Sequence, residues 1–304
     1  MKTNCIFLSL AAVVALASCS KSEAPVNASA PVRFTAAIAG EALPAAATRA
    51  AGTTWAANDA IGIFMVNHGL TTIAENASDK QYTTAAGDGN FAAADASNEI
   101  YYPMDGSAVD FIACYPYTAG ATLTTPVNIA IGTTQTTASQ PGFDLLYAKA
   151  DNSAAGYSKT TSAAVGLKFS HQLSKLVLNT TAGEGVGSAL TGMTVKIVGM
   201  NTANTFDLST GALGVTPGTP AAITPRTITD GASYDAIIMP GSYAAGVVTV
   251  EFTVGTETFI WNVGAITFAS GSAYTYDLTL KRTGVTVTSN ITDWIPETGT
   301  GTAE

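Results

Sequence analysis

Apolar residues in this chain recur at every second position, and the strand is the element that such spacing builds. In "VRFTAAI" (32–38), Val32, Phe34, Ala36 and Ile38 fall on one face, the pattern of a half-buried strand. "AIGIFMV" (60–66) and "AVDFIACYPY" (108–117) are continuous apolar runs, which predicts strands covered more fully. "DLLYAKA" (144–150) closes a first block of strands, and the polar, small-residue "DNSAAGYSKTTSA" (151–163) reads as a linker. A second series follows: "VGLKF", "SKLVLN", "MTVKIVGM", "TFDLS", "YDAIIMP", "VVTVEFTV", "TFIWNV", "AYTYDLTL" and "GVTVTSNI". In "VVTVEFTV", Val248, Val250, Phe252 and Val254 share a face, and "GTET" predicts a turn at Gly255 into "TFIWNVG", a hairpin. Outside the first nineteen residues, no segment of eleven or more carries the i, i+3, i+4, i+7 spacing of an amphipathic helix. The pattern predicts an all-β protein of two tandem β-sandwich domains, residues 50–157 and 158–304.

The first nineteen residues are patterned differently. "MKTNCIFLSLAAVVALASC" has Lys2, an apolar run from Ile6 to Ala17, and small residues before Cys19, the layout of a secretory signal peptide. The run is too short for a permanent membrane span. "LASC" matches the lipobox of bacterial lipoproteins, where the cysteine sulfur is acylated and the cysteine becomes the first residue of the mature chain. Acyl burial at about 0.8 kcal/mol per methylene makes two or three chains a firm anchor. A precursor held to a membrane through lipid at Cys19 is expected, with residues 20–30 as a polar tether. Cys5 leaves with the signal, so Cys114 is the one cysteine left for the folded part, and the mature chain forms no internal disulfide. Core size and partners must then carry stability.

Composition removes several function classes. Acidic residues outnumber basic ones 22 to 13, for a net charge of −9, and no Lys/Arg cluster exists, which argues against a nucleic-acid partner. Charged residues make up only 12% of the chain, a surface suited to durable uncharged contacts. There are two histidines, His68 in "NHG" and His171 in "KFSHQLSK", too few and too scattered for a metal cluster. Both read as structural or surface residues, and Cys114, in an apolar strand, as an inert buried thiol. "GEGVGS" (183–188) lacks the lysine and the following helix of a phosphate loop and reads as a turn. Asp105 and Asp110 read as solvated carboxylates in a turn and at a strand edge. No G-x-S-x-G elbow occurs. No catalytic residue, cofactor or metal is expected.

One basic residue stands out because its surroundings are so bland. Arg49 lies alone in "PAAATRAAGTTW" (44–55), a run of Ala, Thr and Gly that predicts a flexible connection, the place where proteases cut. Together with this loop, the lipobox ending at Cys19, "VRFTAAI", "FIACYPY", "DLLYAKA", "VGLKFSHQLSKLVLN", "YTYDLTL" and the terminal "VTVTSNITDWIPETGTG" form an ordered set over nearly the whole chain. In that order they resemble the lipoprotein fimbrillins, the subunits of type V pili. The resemblance implies two transthyretin-like β-sandwich domains and export as a lipidated precursor. It implies a cut by an arginine-specific protease between Arg49 and Ala50, removing residues 20–49 with the strand of Val32, Phe34, Ala36 and Ile38. It further implies that the tail from about Gly284 to Trp294, carrying Val285, Val287, Ile291 and Trp294, fills the vacated groove of a sister subunit. Removing the strand would expose an apolar slot edged by unpaired backbone groups, which recruits another strand. Four plugs at about 1.5–3 kcal/mol each supply on the order of 6–12 kcal/mol gross, before the ordering of the tail is subtracted.

The implied partners are other pilus subunits, the outer membrane through the lipid, and the protease, with a host glycan or protein ligand as a further candidate. Val285 and Val287 could instead form a permanent last strand of their own domain. An anchor subunit that keeps its lipid is the nearest alternative. A glycan-binding surface lipoprotein, with eleven tyrosines and three tryptophans to draw on, is another.

Overall fold

The computed structural model describes residues 30–40, 54–160, 164–187, 189–214, 218–282 and 284–293. The signal segment, Cys19, Arg49, Ala50 and Trp294 lie outside the described residues.

The chain is built from strands, as its alternation predicts. The first eight are β1 (Phe34–Ile38), β2 (Asp59–Asn67), β3 (Lys80–Thr84), β4 (Asn90–Ala93), β5 (Val109–Tyr115), β6 (Val127–Ala130), β7 (Leu146–Ala150) and β8 (Val165–His171). The next six are β9 (Ser174–Ala182), β10 (Thr194–Val198), β11 (Ala203–Asp207), β12 (Ala212–Leu213), β13 (Arg226–Thr229) and β14 (Ser233–Ile238). The last six are β15 (Gly241–Tyr243), β16 (Thr249–Val254), β17 (Glu257–Asn262), β18 (Ile266–Phe268), β19 (Ser272–Lys281) and β20 (Gly284–Asp293).

Seven of the first eight strands close into a barrel in the order β1-β4-β3-β2-β5-β7-β8. β8 belongs to this barrel: it pairs with β7 and, in parallel, with β1. The segment read as a linker, 151–163, therefore connects two staves of one barrel, and Tyr157 within it exchanges backbone hydrogen bonds with Val109. Pairing passes to the second set of sheets between β8 and β9, downstream of residues 157 and 158.

The second set holds β13-β14-β9-β19-β20 and β10-β16-β17, with the smaller pairings β12-β11-β6 and β15-β18. The hairpin expected around Gly255 is β16–β17, and Gly255 supplies a left-handed turn at φ 61°. β6 leaves the barrel region to pair with β11, which ties the two sets together.

The continuous apolar runs now have a physical reason. Ile61, Ile63 and Met65 of β2 point into the barrel, while Phe64 and Val66 join the core of the second set. β5 divides in the same way, Phe111 and Ala113 inward, Ile112 and Cys114 outward. These two strands form a wall with a core on each side, and a strand buried on both faces has no solvent side on which to place polar residues. β19, by contrast, keeps one face toward the core with Tyr274, Tyr276, Leu278 and Leu280, and alternates cleanly.

Candidate functional site

The strand implicated in processing, β1, is the stave that closes the barrel. It runs parallel to β8 through five register pairs, from Phe34 with Val165 to Ile38 with Phe169. On its other side it pairs antiparallel with β4, but only at Phe34 with Phe91 and Thr35 with Asn90. Val32, Phe34, Ala36 and Ile38 are all buried, as their spacing predicts. Phe34 packs edge-on against Tyr82 and Phe111, with ring centroids 4.9 and 5.1 Å away. Burial of the three large side chains contributes about 1.5–3 kcal/mol each.

Trp55, which follows the Arg49 loop, fastens the far end of β1. Its indole N–H donates to the Ala36 carbonyl at 3.0 Å. The ring lies edge-on to Phe91, Tyr115 and Phe169, so it is a core aromatic rather than a sugar platform. Beneath it, the Ala36 N–H donates to the Gly89 carbonyl at 2.8 Å. Gly89 sits at φ 81°, and a β-carbon there would come within 2.5 Å of the Ala36 oxygen. Only glycine allows the β3–β4 turn to approach β1 this closely.

Beyond Phe91 the ladder between β1 and β4 stops. Val32 donates to the Ile100 carbonyl instead, and Pro31 forms a bridge with Tyr101. The strands part around a cavity of about 500 Å³, lined by Val32, Arg33 and Phe34 on one side and Phe91, Ala92 and Ala93 on the other.

The tail residues belong to the second set of sheets. β20 pairs antiparallel with β19 along ten positions, among them Val285 with Leu280, Val287 with Leu278, and Ile291 with Tyr274. Val285 and Val287 are half-buried against the second core. β20 ends its sheet, with β19 as its one ladder partner. In the single chain the tail is thus docked on its own domain, and serving another subunit requires it to leave β19.

The polar groups are arranged for structure. The Asp235 carboxylate is buried and accepts from Arg226 Nε at 2.7 Å, from Arg226 Nη2, from Gln140 Nε2 at 3.1 Å, and from Lys175 Nζ at 3.1 Å. Burial pushes this carboxyl up, but Arg226 and Lys175 outweigh it and hold it below the usual carboxylate range. Gln135 bonds both the N–H and the carbonyl of Ile237 and so pins the 131–145 segment to β14. His171 and Asp144, both buried, meet at 3.0 Å. Asp110, expected in solvent, is buried beside Val109 and accepts from the Gly69 N–H at 2.8 Å while facing His68 Nδ1 at 2.8 Å. Cys114 is buried in the wall, where desolvation pushes its thiol up to about 12. Among the described residues no three His, Cys, Asp or Glu side chains converge as a metal site would require. Sequence reasoning missed the Asp235 cluster and the role of Gly89, because neither "SYDAII" nor "AAGDG" differs from an ordinary strand or turn.

Comparison with known proteins gives a consistent result. A family described as fimbrillin-like matches residues 48–294. A candidate fimbrium subunit of Bacteroides uniformis, Fim1C, is 35% identical over 321 aligned positions covering 100% of both chains. The crystal structure of a candidate cell adhesion protein from Bacteroides uniformis superposes with a TM-score of 0.69 at 30% identity, covering 87% of this chain and 98% of that one. One from Bacteroides ovatus, also a candidate cell adhesion protein, gives 0.68 at 25%, covering 89% and 99%.

Proposed function

The chain belongs to the fimbrillin-like family, and on that premise we propose that it is a structural subunit of a type V pilus that supports adhesion. In this reading it is exported as a lipoprotein precursor acylated at Cys19 and held at the outer membrane. An arginine-specific protease cuts between Arg49 and Ala50, residues 20–49 are lost, and a sister subunit replaces β1. In this reading the two sets of strands are its two domains; the first closes as a barrel rather than an open sandwich, and the transthyretin-like form of each rests on the resemblance alone.

One observation carries the reading. β1 is the closing stave of the barrel, and it is joined to the rest of the protein through the segment that contains Arg49. Taking it out leaves β4 and β8 each with an open edge and uncovers the seats of Val32, Phe34, Ala36 and Ile38. An incomplete barrel of this kind recruits a strand. The tail is the proposed donor because Val285 and Val287 alternate as β1 does and because β20 is held along one edge.

The test is to trim the purified chain from Ser20 with an arginine-specific protease and follow self-association. Polymers resistant to detergent are expected, and deletion of residues 284–304 should abolish them. Trimmed chains that still polymerise without the tail would overturn the donor assignment. A second reading, the anchor subunit, is favoured by how firmly β1 is seated in the intact chain. Mass spectrometry of sheared filaments separates the two: a subunit beginning at Ala50 supports the processed form, one still acylated at Cys19 the anchor.

A further inference from the structure

The contacts that hold β1 survive a cut after Arg49. Trp55, Gly89 and Phe169 all lie on the retained side of that bond, and they hold Ala36 and Ala39 through three hydrogen bonds. The five register pairs with β8 are likewise untouched. Cleavage removes a covalent tie and leaves the strand's seat complete.

The weak place lies elsewhere, where the β1–β4 ladder stops short. Ala92 and Ala93 of β4 stay paired with β3, while Val32 gives its N–H to Ile100 rather than to β4. Toward β1 the register ends at Phe91, and the cavity begins there. The slot is flanked by Phe91, Ala92 and Ala93 of β4, with Val32, Phe34 and Tyr82 as its large side chains, Thr35 and Asn90 as polar ones, and only Arg33 and Glu99 as charged neighbours. What completes a broken antiparallel ladder is a further extended segment with small or apolar alternation. Of the segments described, β20 has that alternation and an unshared edge.

We propose that β1 stays seated after the cut and is displaced only when the tail strand of a second copy docks in the slot between Val32–Arg33 and Ala92–Ala93 and invades along β4. This rests on the strand-exchange reading above and adds to it a docking site and an order of events. The processed subunit is then protected from exposing an empty groove: it opens only to a strand already in contact. Ala93, half-buried at the slot, is the residue whose size sets access.

The probe is a synthetic peptide of residues 284–294, added to the chain from Ser20 after the cut at Arg49. Native mass spectrometry is expected to find the fragment 20–49 still bound, and the displacement rate should rise linearly with peptide concentration. Ala93→Leu, which fills the slot, should lower that slope at least tenfold while the fragment stays bound. Release of the fragment without peptide, or a displacement rate independent of peptide concentration, overturns the proposal. An unchanged slope in a folded Ala93→Leu does so too. If that variant does not fold, the concentration dependence in the parent chain still decides. A cut chain that never takes up the peptide overturns the strand-exchange reading itself, whereas uptake with the wrong kinetics overturns the slot alone.

Discussion

The indole of Trp55 donates to the backbone carbonyl of Ala36, so a residue on the retained side of the proposed cut grips the strand that the cut would release. The bond is buried. Trp55→Phe keeps an aromatic ring near Phe91 and Phe169 but leaves that carbonyl unsatisfied. The expected cost is about 1–3 kcal/mol, measured by chemical denaturation of the intact chain from Ser20. A change below a few tenths would mean that β1 relaxes to another donor and that the grip is not specific.

Gly89 offers a sharper probe of the same contact. Alanine there must adopt φ 81° and press a β-carbon to within 2.5 Å of the Ala36 oxygen. The turn or β1 has to move. Gly89→Ala is expected to destabilise the barrel by about 1–3 kcal/mol, in the range of a forced left-handed residue, and to speed amide exchange at Ala36. Gly69, at φ 73° with nothing within 4 Å, is the control. Gly69→Ala should show the conformational cost without the effect on β1.

How far the strands could be read in advance depended on how they are buried. Half-buried strands such as β1 and β19 announce themselves by alternation, and the shared wall of β2 and β5 by its unbroken apolar runs. Pairing is another matter. Alternation states which face is covered and says nothing of which strand lies alongside, so the parallel match of β1 with β8 had no local sign. Thr and Ala are neutral in polarity, and "DNSAAGYSKTTSA" therefore looks like a linker although it joins two staves of one barrel. Buried carboxylates mislead for a related reason. Asp110 and Asp235 are covered because His68, Gly69 and Lys175 meet them from distant segments and Arg226 from the neighbouring strand, and a lone Asp in a sequence gives no hint of its partners.

The Asp235 cluster should set the acid limit of the second set of sheets. Its carboxyl is held below the unfolded value, so the stability it contributes is present above about pH 4 and is lost as pH falls through the lower folded value. Asp235→Ala leaves Arg226 and Lys175 facing an apolar gap. A buried ion pair broken on one side costs about 3–5 kcal/mol. Denaturation curves between pH 3 and 7, with about those limits, are expected to converge at the acid end. Parallel curves would assign the loss to packing rather than charge.

His68, beside barrel strand β2, gives the opposite dependence. Its bond with Asp110 and the hydrogen bond to the Ala154 carbonyl favour the protonated ring and raise it above the usual histidine value, with Asp151 adding to the effect. The turn it holds is costly. Asn152, Ser153 and Ala154 are consecutive left-handed residues at φ 52°, 55° and 64°, and each such L-residue costs about 1–2 kcal/mol. Asn152 Nδ2 to the Gly156 carbonyl, at 2.8 Å, offsets part of this. A folded value above the unfolded one means that the contribution is complete below about pH 6.5 and fades as pH rises through the folded value. NMR titration of His68 is expected to give a midpoint above that of a free histidine, and Asp110→Asn should bring it down. Cleavage of the 151–156 turn by a broad-specificity protease should increase as the ring loses its proton. A cleavage rate that is flat across the titration would show that the strained turn stands without the histidine.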